Sequence, residues 1–316
     1  MDIELTPALA TEALAACGVS GKAVSAERLD GGVSNLTWQV KRVGEAPVVL
    51  RLERPQGIFQ PYDVRREARV IRCLESSPIP VPGVLGESAE DSPLGAPCVV
   101  LSWLDHPHMG MVPMTPEVVD NYRAMVESIH ALGWRSLGLD FLDPPPAGHE
   151  AALRDLDAVR ARAVAFNCHH DHLIGEIGAI LNRNLPDSPE PQLCHGDINV
   201  FNYLVAQDNT IAGVVDWEQA NLGDPLSDWG LITALASLKG LNAPPEDHPL
   251  AAPAFQRSRR DVHDLRYWML HQIYKLAVIH RIWSEIGDAP PWYTWADIER
   301  VSESALMYLG EQLREQ

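Results

Sequence analysis

Residues Leu193–Asp228 read LCHGDINVFNYLVAQDNTIAGVVDWEQANLGDPLSD, and this stretch decides the fold. Two short apolar runs, Tyr203–Ala206 and Ile211–Val215, flank the polar segment Gln207-Asp208-Asn209-Thr210. Apolar, β-branched runs around a turn that carries Asp and Asn predict a β-hairpin. Symmetric pairing about that turn sets Asn202, at the start of one strand, almost opposite Asp216, at the end of the other. Asp197 precedes Asn202 by five residues, on the loop that enters the hairpin. Three oxygen-bearing side chains therefore gather at the open end of one ribbon. Such a set suits a hard cation like Mg²⁺, which takes oxygen ligands and keeps several waters and substrate phosphates.

Upstream, Thr6-Pro7 marks a helix start, with Gly18 as its C-terminal stop and Leu9, Ala13, Leu14 and Cys17 as its apolar stripe. Ala26–Val40 alternates around Asp30-Gly31-Gly32-Val33-Ser34-Asn35, which predicts two strands joined by a Gly-rich turn. Pro47–Leu52 reads as a buried strand carrying one cation, Arg51. Tyr62–Leu74 has helical period, and Glu67 shares the inward stripe of Val64, Ala68, Ile71 and Leu74. Pro78–Pro82 is a stiff connector, and Cys98–Leu101 is another buried strand running into Ser102 and Trp103. Beyond it the chain turns helical, so we set a boundary there: an N-terminal lobe of residues 1–103 and a C-terminal lobe of residues 104–316. Helices are expected at Pro116–Leu132, Glu150–Phe166, His172–Leu185, Leu226–Leu238, Asp261–Ile286 and Trp295–Leu313, with a Pro-rich loop at 243–253. Strands first and helices later define an α+β chain.

At 316 residues and 46% apolar, the chain buries a sizeable core. A formal charge of −18 speaks against a nucleic-acid partner, which needs clustered Lys and Arg. The five cysteines, Cys17, Cys73, Cys98, Cys168 and Cys194, lack CxxC spacing and read as reduced thiols of a cytoplasmic protein. The acidic N-terminus has no basic n-region, and no apolar run reaches the roughly 20 residues that span a bilayer, so no membrane partner is expected.

His195-Gly196-Asp197, Asn202, Val214-Val215-Asp216-Trp217-Glu218 and Gly223-Asp224-Pro225 with Asp228 together resemble the aminoglycoside phosphotransferase and choline kinase-like family. RLDGGVSN, VLRLERPQG and VRREARVIRCL most resemble the kinase-like domains associated with acyl-CoA dehydrogenases and their stand-alone bacterial relatives. The resemblance implies a bilobal protein-kinase-like fold, with a small β-rich N-lobe and a mainly helical C-lobe. It implies a Mg²⁺-dependent phosphotransferase that moves the γ-phosphate of ATP or GTP to an alcohol group of a small hydroxylated substrate. On this resemblance Asp197 matches the catalytic base, and Asn202 and Asp216 match the metal ligands. Gly31, Gly32 and Ser34 match the phosphate-covering loop, Arg51 and Glu67 the phosphate clamp, and Leu101, Ser102 and Trp103 the segment that meets the purine. Arg51 stands where protein kinases carry Lys. His195 stiffens the loop, and Glu218 and Asp228 support it, tying the segment after the hairpin back to the catalytic loop, with a substrate-facing position as the alternative for Glu218.

Cys168-His169-His170-Asp171-His172 lacks a second cluster to complete a tetrahedral metal site and reads as structural. Most of the late aromatics Trp268, Tyr274, Trp283, Trp292, Tyr293 and Trp295, and of the accompanying Arg266, Lys275, His280 and Arg281, read as helix-core packing; the remainder fit a wall for an amphipathic acceptor with an anionic end, such as a hydroxy acid or hydroxyacyl-CoA. A macrolide or aminoglycoside acceptor is the alternative, and a non-catalytic nucleotide-binding protein is a second one. A protein kinase is disfavoured, because only twelve positions separate Asp216 from Asp228.

Overall fold

In the computed structural model, which describes residues 4–29, 35–54, 57, 62–89, 92–286 and 292–313, alternating burial builds the N-terminal sheet. Strands β1 (Ala23–Arg28), β2 (Leu36–Arg42), β3 (Glu45–Leu52), β4 (Val84–Glu87) and β5 (Cys98–Ser102) pair antiparallel in the order β1-β2-β3-β5-β4. Leu36, Trp38 and Val40 of β2, Val48, Leu50 and Leu52 of β3, and Cys98 and Val100 of β5 are buried in one cluster with Ala10, Ala13 and Leu14. Those last three belong to helix α1 (Pro7–Ala16), which Thr6 caps by accepting from the Leu9 N–H at 3.3 Å. Gly18 at φ +74° ends it, a conformation that costs a residue with a Cβ. Because strand side chains alternate, Arg51 of β3 leaves that face and meets helix α2 (Val64–Leu74). Asp63 caps α2 through the Arg66 N–H at 2.9 Å, which starts the helix two residues later than its periodicity predicts.

The chain divides into two compact units, Met1–Val112 with Tyr203–Glu218, and Pro113–Asn202 with Gln219–Gln316. Against the boundary expected at 103/104, the division falls between Val112 and Pro113, and the hairpin groups with the N-terminal sheet. The reason is main-chain hydrogen bonding to two connectors. In β7 (Tyr203–Val205) the Val205 N–H donates to Pro107 O at 2.9 Å, and in β8 (Ile211–Val214) the Val214 N–H donates to Pro80 O at 2.7 Å. The hairpin itself forms as expected, with Tyr203 opposite Val214 and Leu204 opposite Gly213.

The second unit holds α3 (Pro116–His130), α4 (His149–Ala165), α5 (His172–Arg183), α6 (Leu226–Leu238), α7 (Ala252–Ser258), α8 (Val262–Ile286) and α9 (Trp295–Leu309). Helix α8 is its core, packed by α4, α5, α6 and α9. Trp268, Tyr274, Trp283 and Tyr293 are buried there, so most of the late aromatics are packing residues; Trp292 is 46% exposed. The expected loop at 243–253 instead contains a 3₁₀ turn at Pro245–Asp247 and the start of α7. Two three-residue strands escaped the sequence reading, β6 (Gln192–Cys194) and its antiparallel partner β9 (Asn221–Gly223). Among the described residues no helix is long and apolar enough to cross a membrane.

Candidate active site

In the second unit, β6 delivers the chain into His195-Gly196-Asp197, and three interactions fix that loop. Asp228, 1% exposed, accepts the His195 N–H at 3.0 Å and the Gly196 N–H at 2.9 Å, and its Oδ2 lies 2.9 Å from His130 Nε2. Burial works to raise its pKa. The hydrogen bond and charge of His130, the charge of His195 and the Gly196 N–H outweigh burial and hold it below the usual carboxylate value. Gly196 sits at φ +80°, and a Cβ there would overlap the Gln219 carbonyl oxygen, so glycine is required twice over. Tyr122 donates to Ile198 O at 2.6 Å.

Within this frame Asn202 Nδ2 donates to Asp197 O at 2.9 Å and to Asp197 Oδ2 at 3.0 Å. His195, fully buried, accepts the Asp197 N–H at Nδ1, 3.3 Å away. Lys275 of α8 donates to Gln219 Oε1 at 2.6 Å, so the residue whose backbone packs on Gly196 also holds a cation. Burial lowers the Lys275 pKa, against the raising charges of Asp197, Asp155 and Asp228, while Arg162 adds to the lowering. Asp155 on α4 is pushed up to about 7, by burial first and by Asp224, with Lys275 and Arg154 opposing. On the same unit Phe201 and Trp292 are each 46% exposed, and Lys239 Nζ lies 5.9 Å and 5.3 Å from their ring centroids.

The first unit carries a charge cluster centred on Arg51, which is 8% exposed. Its Nη1 lies 3.0 Å from Glu67 Oε1, and its Nη2 donates to Asp216 Oδ1 at 3.1 Å and Glu218 Oε2 at 3.2 Å. Burial opposes the Arg51 charge, but Glu67, Asp216 and Glu218 outweigh it and push the pKa up. Burial raises Glu67 to about 7; Asp216 adds to this, and Arg51 and the Trp217 N–H oppose it. Asp216 itself is held at φ +66°, an uncommon backbone for a residue with a Cβ. Fully buried Trp217 fixes the turn, donating from Nε1 to Val214 O at 3.0 Å. Glu218, expected to brace the catalytic loop, is found accepting from Arg51 and from Asn35 Nδ2 at 3.1 Å, while Arg66 donates to its main-chain oxygen at 3.0 Å.

Of the expected purine-facing segment, Leu101 is paired on both sides, with Val49 and Val84. The Ser102 N–H donates to Gly83 O at 2.9 Å, and the Trp103 indole donates to Asp105 at 3.3 Å. The Ser102 amide is thus engaged inside the sheet. Gly31, Gly32 and Ser34 lie outside the described residues. Asp171, in the histidine-rich run, caps α5 and pairs with Arg281 at 2.6 Å. His130, Cys194 and Asp228 bring ligand-type atoms within 4.8 Å of one another, but both Asp228 oxygens serve the loop. Sequence reasoning missed Tyr122, His130, Arg66 and Gln219. Arg66 alone had a local signal, standing next to Glu67 in the helix.

The chain is 27% identical over 217 residues to mouse acyl-CoA dehydrogenase family member 10, an alignment covering 64% of this chain and 19% of that protein. It is 29% identical over 210 residues to rat acyl-CoA dehydrogenase family member 11, covering 62% and 26%. The chain therefore spans only about a fifth to a quarter of these relatives. Among solved structures, a candidate aminoglycoside phosphotransferase of Ralstonia eutropha JMP134 superposes with a TM-score of 0.70 at 18% identity, covering 93% of each chain. Aminoglycoside phosphotransferase APH(4)-Ia, a thermostable mutant bound to AMP-PNP and hygromycin B, gives 0.64 at 17%, covering 92% and 94%. These likenesses show a protein-kinase-like α+β fold, with a β-sheet N-terminal region and a helical C-terminal part. Residues 25–268 match the model of the phosphotransferase enzyme family, and the chain belongs to that family.

Proposed function

We propose that this chain moves the γ-phosphoryl group of ATP or GTP onto the hydroxyl of a small molecule, in a Mg²⁺-dependent reaction. The observation that carries this reading is the double hold of Asn202 on Asp197, at 2.9 Å and 3.0 Å. Phosphoryl transfer asks little covalent chemistry of the protein and much positioning. A carboxylate pinned by a neutral amide is placed to accept the proton of an incoming hydroxyl, which is the role assigned to Asp197. Because Asn202 turns its Nδ2 toward Asp197, its amide oxygen is the atom it offers a metal. Asp216 offers a carboxylate. Both are the hard oxygen donors that Mg²⁺ takes. When bound, the ion neutralises phosphate charge. Arg51, held by Glu67, presents the phosphate clamp; its planar fork engages two oxygens where a lysine would offer a point charge.

For the acceptor we propose a hydroxy acid or its acyl-CoA thioester. The relatives' names tie them to acyl-CoA, and Lys239 with exposed Phe201 and Trp292 offers a cation beside apolar rings. The test is a transfer screen with γ-labelled ATP and GTP across hydroxyacyl-CoAs, hydroxy acids, macrolides and aminoglycosides, with and without Mg²⁺. Loss of the base costs on the order of 10²–10⁴ in rate. Asp197→Ala is therefore expected to abolish measurable transfer while nucleotide binding persists, and wild-type-like turnover in that variant sinks the mechanism.

A further inference from the structure

Outside the active site, two cysteines far apart in sequence meet where helix α1 packs on the N-terminal sheet. Cys17, the residue that closes α1, and Cys98, the first residue of β5, stand with their sulfurs 3.4 Å apart. Cys17 is 6% exposed and Cys98 fully buried, and the Cys17 thiol also lies 3.7 Å from Cys98 O. Both backbones are held. The Cys17 N–H donates to the carbonyls of Ala13 and Leu14, and Cys98 exchanges two hydrogen bonds with Ser88, each at 2.9 Å.

We propose that Cys17 and Cys98 are a modification site, a preformed dithiol that a hydroperoxide converts to a reversible intramolecular disulfide. A disulfide needs the sulfurs at about 2.05 Å with a specific dihedral angle. From 3.4 Å the remaining approach is small enough for side-chain rotation. The two thiols are also chemically unequal. Hydrogen bonding from Cys17 lowers the Cys98 pKa to about 7, with help from Ser88, Ser92 and Arg65 and against burial. The Cys17 thiol is pushed up, by that same hydrogen bond, by burial and by the charges of Cys98 and Glu87. Cys17 Sγ also faces Cys98 O, an oxygen that can only accept, so Cys17 is the proton-bearing partner and Cys98 the nucleophile, since the thiolate is the reactive form.

The step balances. The Cys98 thiolate attacks one peroxide oxygen, the O–O bond breaks, and hydroxide leaves, giving a sulfenic acid. Cys17 gives its proton to that hydroxide, and its sulfur attacks the Cys98 sulfur. The S–O bond breaks, and the departing hydroxide takes up the proton that Cys98 released on ionising, giving the second water. Two thiols and one hydroperoxide with two oxidising equivalents yield one disulfide and two waters when the oxidant is hydrogen peroxide. An external dithiol reverses it by exchange.

The experiment uses the full chain and hydrogen peroxide. Treated protein, denatured and titrated with a thiol reagent, is expected to show three free thiols where untreated protein shows five. Peptide mapping places the new bond between the segments bearing Cys17 and Cys98, and dithiothreitol restores all five. Cys17→Ser and Cys98→Ser each abolish the cross-link. Five persisting thiols at a peroxide concentration that oxidises free cysteine overturn the proposal. So does a bond mapped to any other pair, or accumulation of sulfinic acid at Cys98.

Discussion

Arg51→Met removes a buried guanidinium that meets Glu67 at 3.0 Å, Asp216 at 3.1 Å and Glu218 at 3.2 Å. Removing one partner of a buried ion pair typically costs about 3–5 kcal/mol, because the other charge is left poorly solvated. The three carboxylates do not share that cost equally. The Glu67 side chain is 2% exposed, whereas that of Asp216 is 28% exposed and screened by water. Glu67 therefore sets the penalty, and it has an escape. Burial already raises its pKa to about 7, even with Arg51 opposing. Without Arg51 it rises further, so near neutrality the variant protonates Glu67 and loses only about 2–3 kcal/mol.

The sign of the pH dependence follows from linkage. A carboxyl whose folded pKa exceeds its unfolded value contributes stability at low pH and loses it as pH rises through the folded pKa. In the wild type this loss ends a little above pH 7, where Glu67 titrates. In Arg51→Met it continues, at up to about 1.4 kcal/mol per pH unit. Urea unfolding at about pH 6, 7 and 8.5 is thus expected to show a gap from wild type that is about 2 kcal/mol wider at the highest pH than at neutrality. Adding Glu67→Gln to Arg51→Met must flatten that slope. A pH-independent gap, or an equal slope in the double variant, refutes the reasoning.

Two further outcomes are expected elsewhere. Asp228→Asn sets an amide against the His195 and Gly196 N–H groups and is expected to cost about 3 kcal/mol in urea unfolding. The wild-type Asp228 carboxyl is held low, so its contribution is present above its unfolded pKa of about 3.9 and is lost as pH falls through the folded value. Circular dichroism during acid titration should therefore show a weaker acid dependence for Asp228→Asn below about pH 4. Lys275→Met removes the charge-assisted bond to Gln219 and is expected to lower turnover on the order of tenfold, with nucleotide KM unchanged and partial recovery in Lys275→Arg. A raised nucleotide KM in steady-state assays would place Lys275 in nucleotide binding instead.

Much of the fold was legible because short-range rules governed it. The hairpin, the cap of α1 and the amphipathic helix α2 each declare themselves within a dozen residues, by turn chemistry, a Thr-Pro start and a four-residue period. Helix α6 spans Leu226–Leu238, the bounds its sequence predicts. Strands β4, β6 and β9 were not legible, because three- or four-residue strands are too short to show a period, and their partners fix them. The hairpin's grouping with the first unit was likewise illegible, since it rests on carbonyls of Pro80 and Pro107, far away in sequence.

The same distinction separates the reaction from its acceptor. Asp197, Asn202 and Asp216 fall within twenty residues, because a reacting phosphate demands a few oxygen atoms at fixed spacing, and a loop feeding a hairpin meets that demand locally. The other charged and aromatic groups of the second unit come from separate elements. Asp155 arrives on α4, Lys239 at the end of α6, Lys275 on α8 and Trp292 ahead of α9. Each has an ordinary surface or core explanation in its own element, and only tertiary packing sets Lys275 against Gln219 or Lys239 between two rings. Selectivity for an acceptor is a difference in binding among competing molecules, built from such dispersed contacts. It leaves no motif in the chain, which is why the acceptor has to be found by assay while the chemistry is written in one stretch of thirty-six residues.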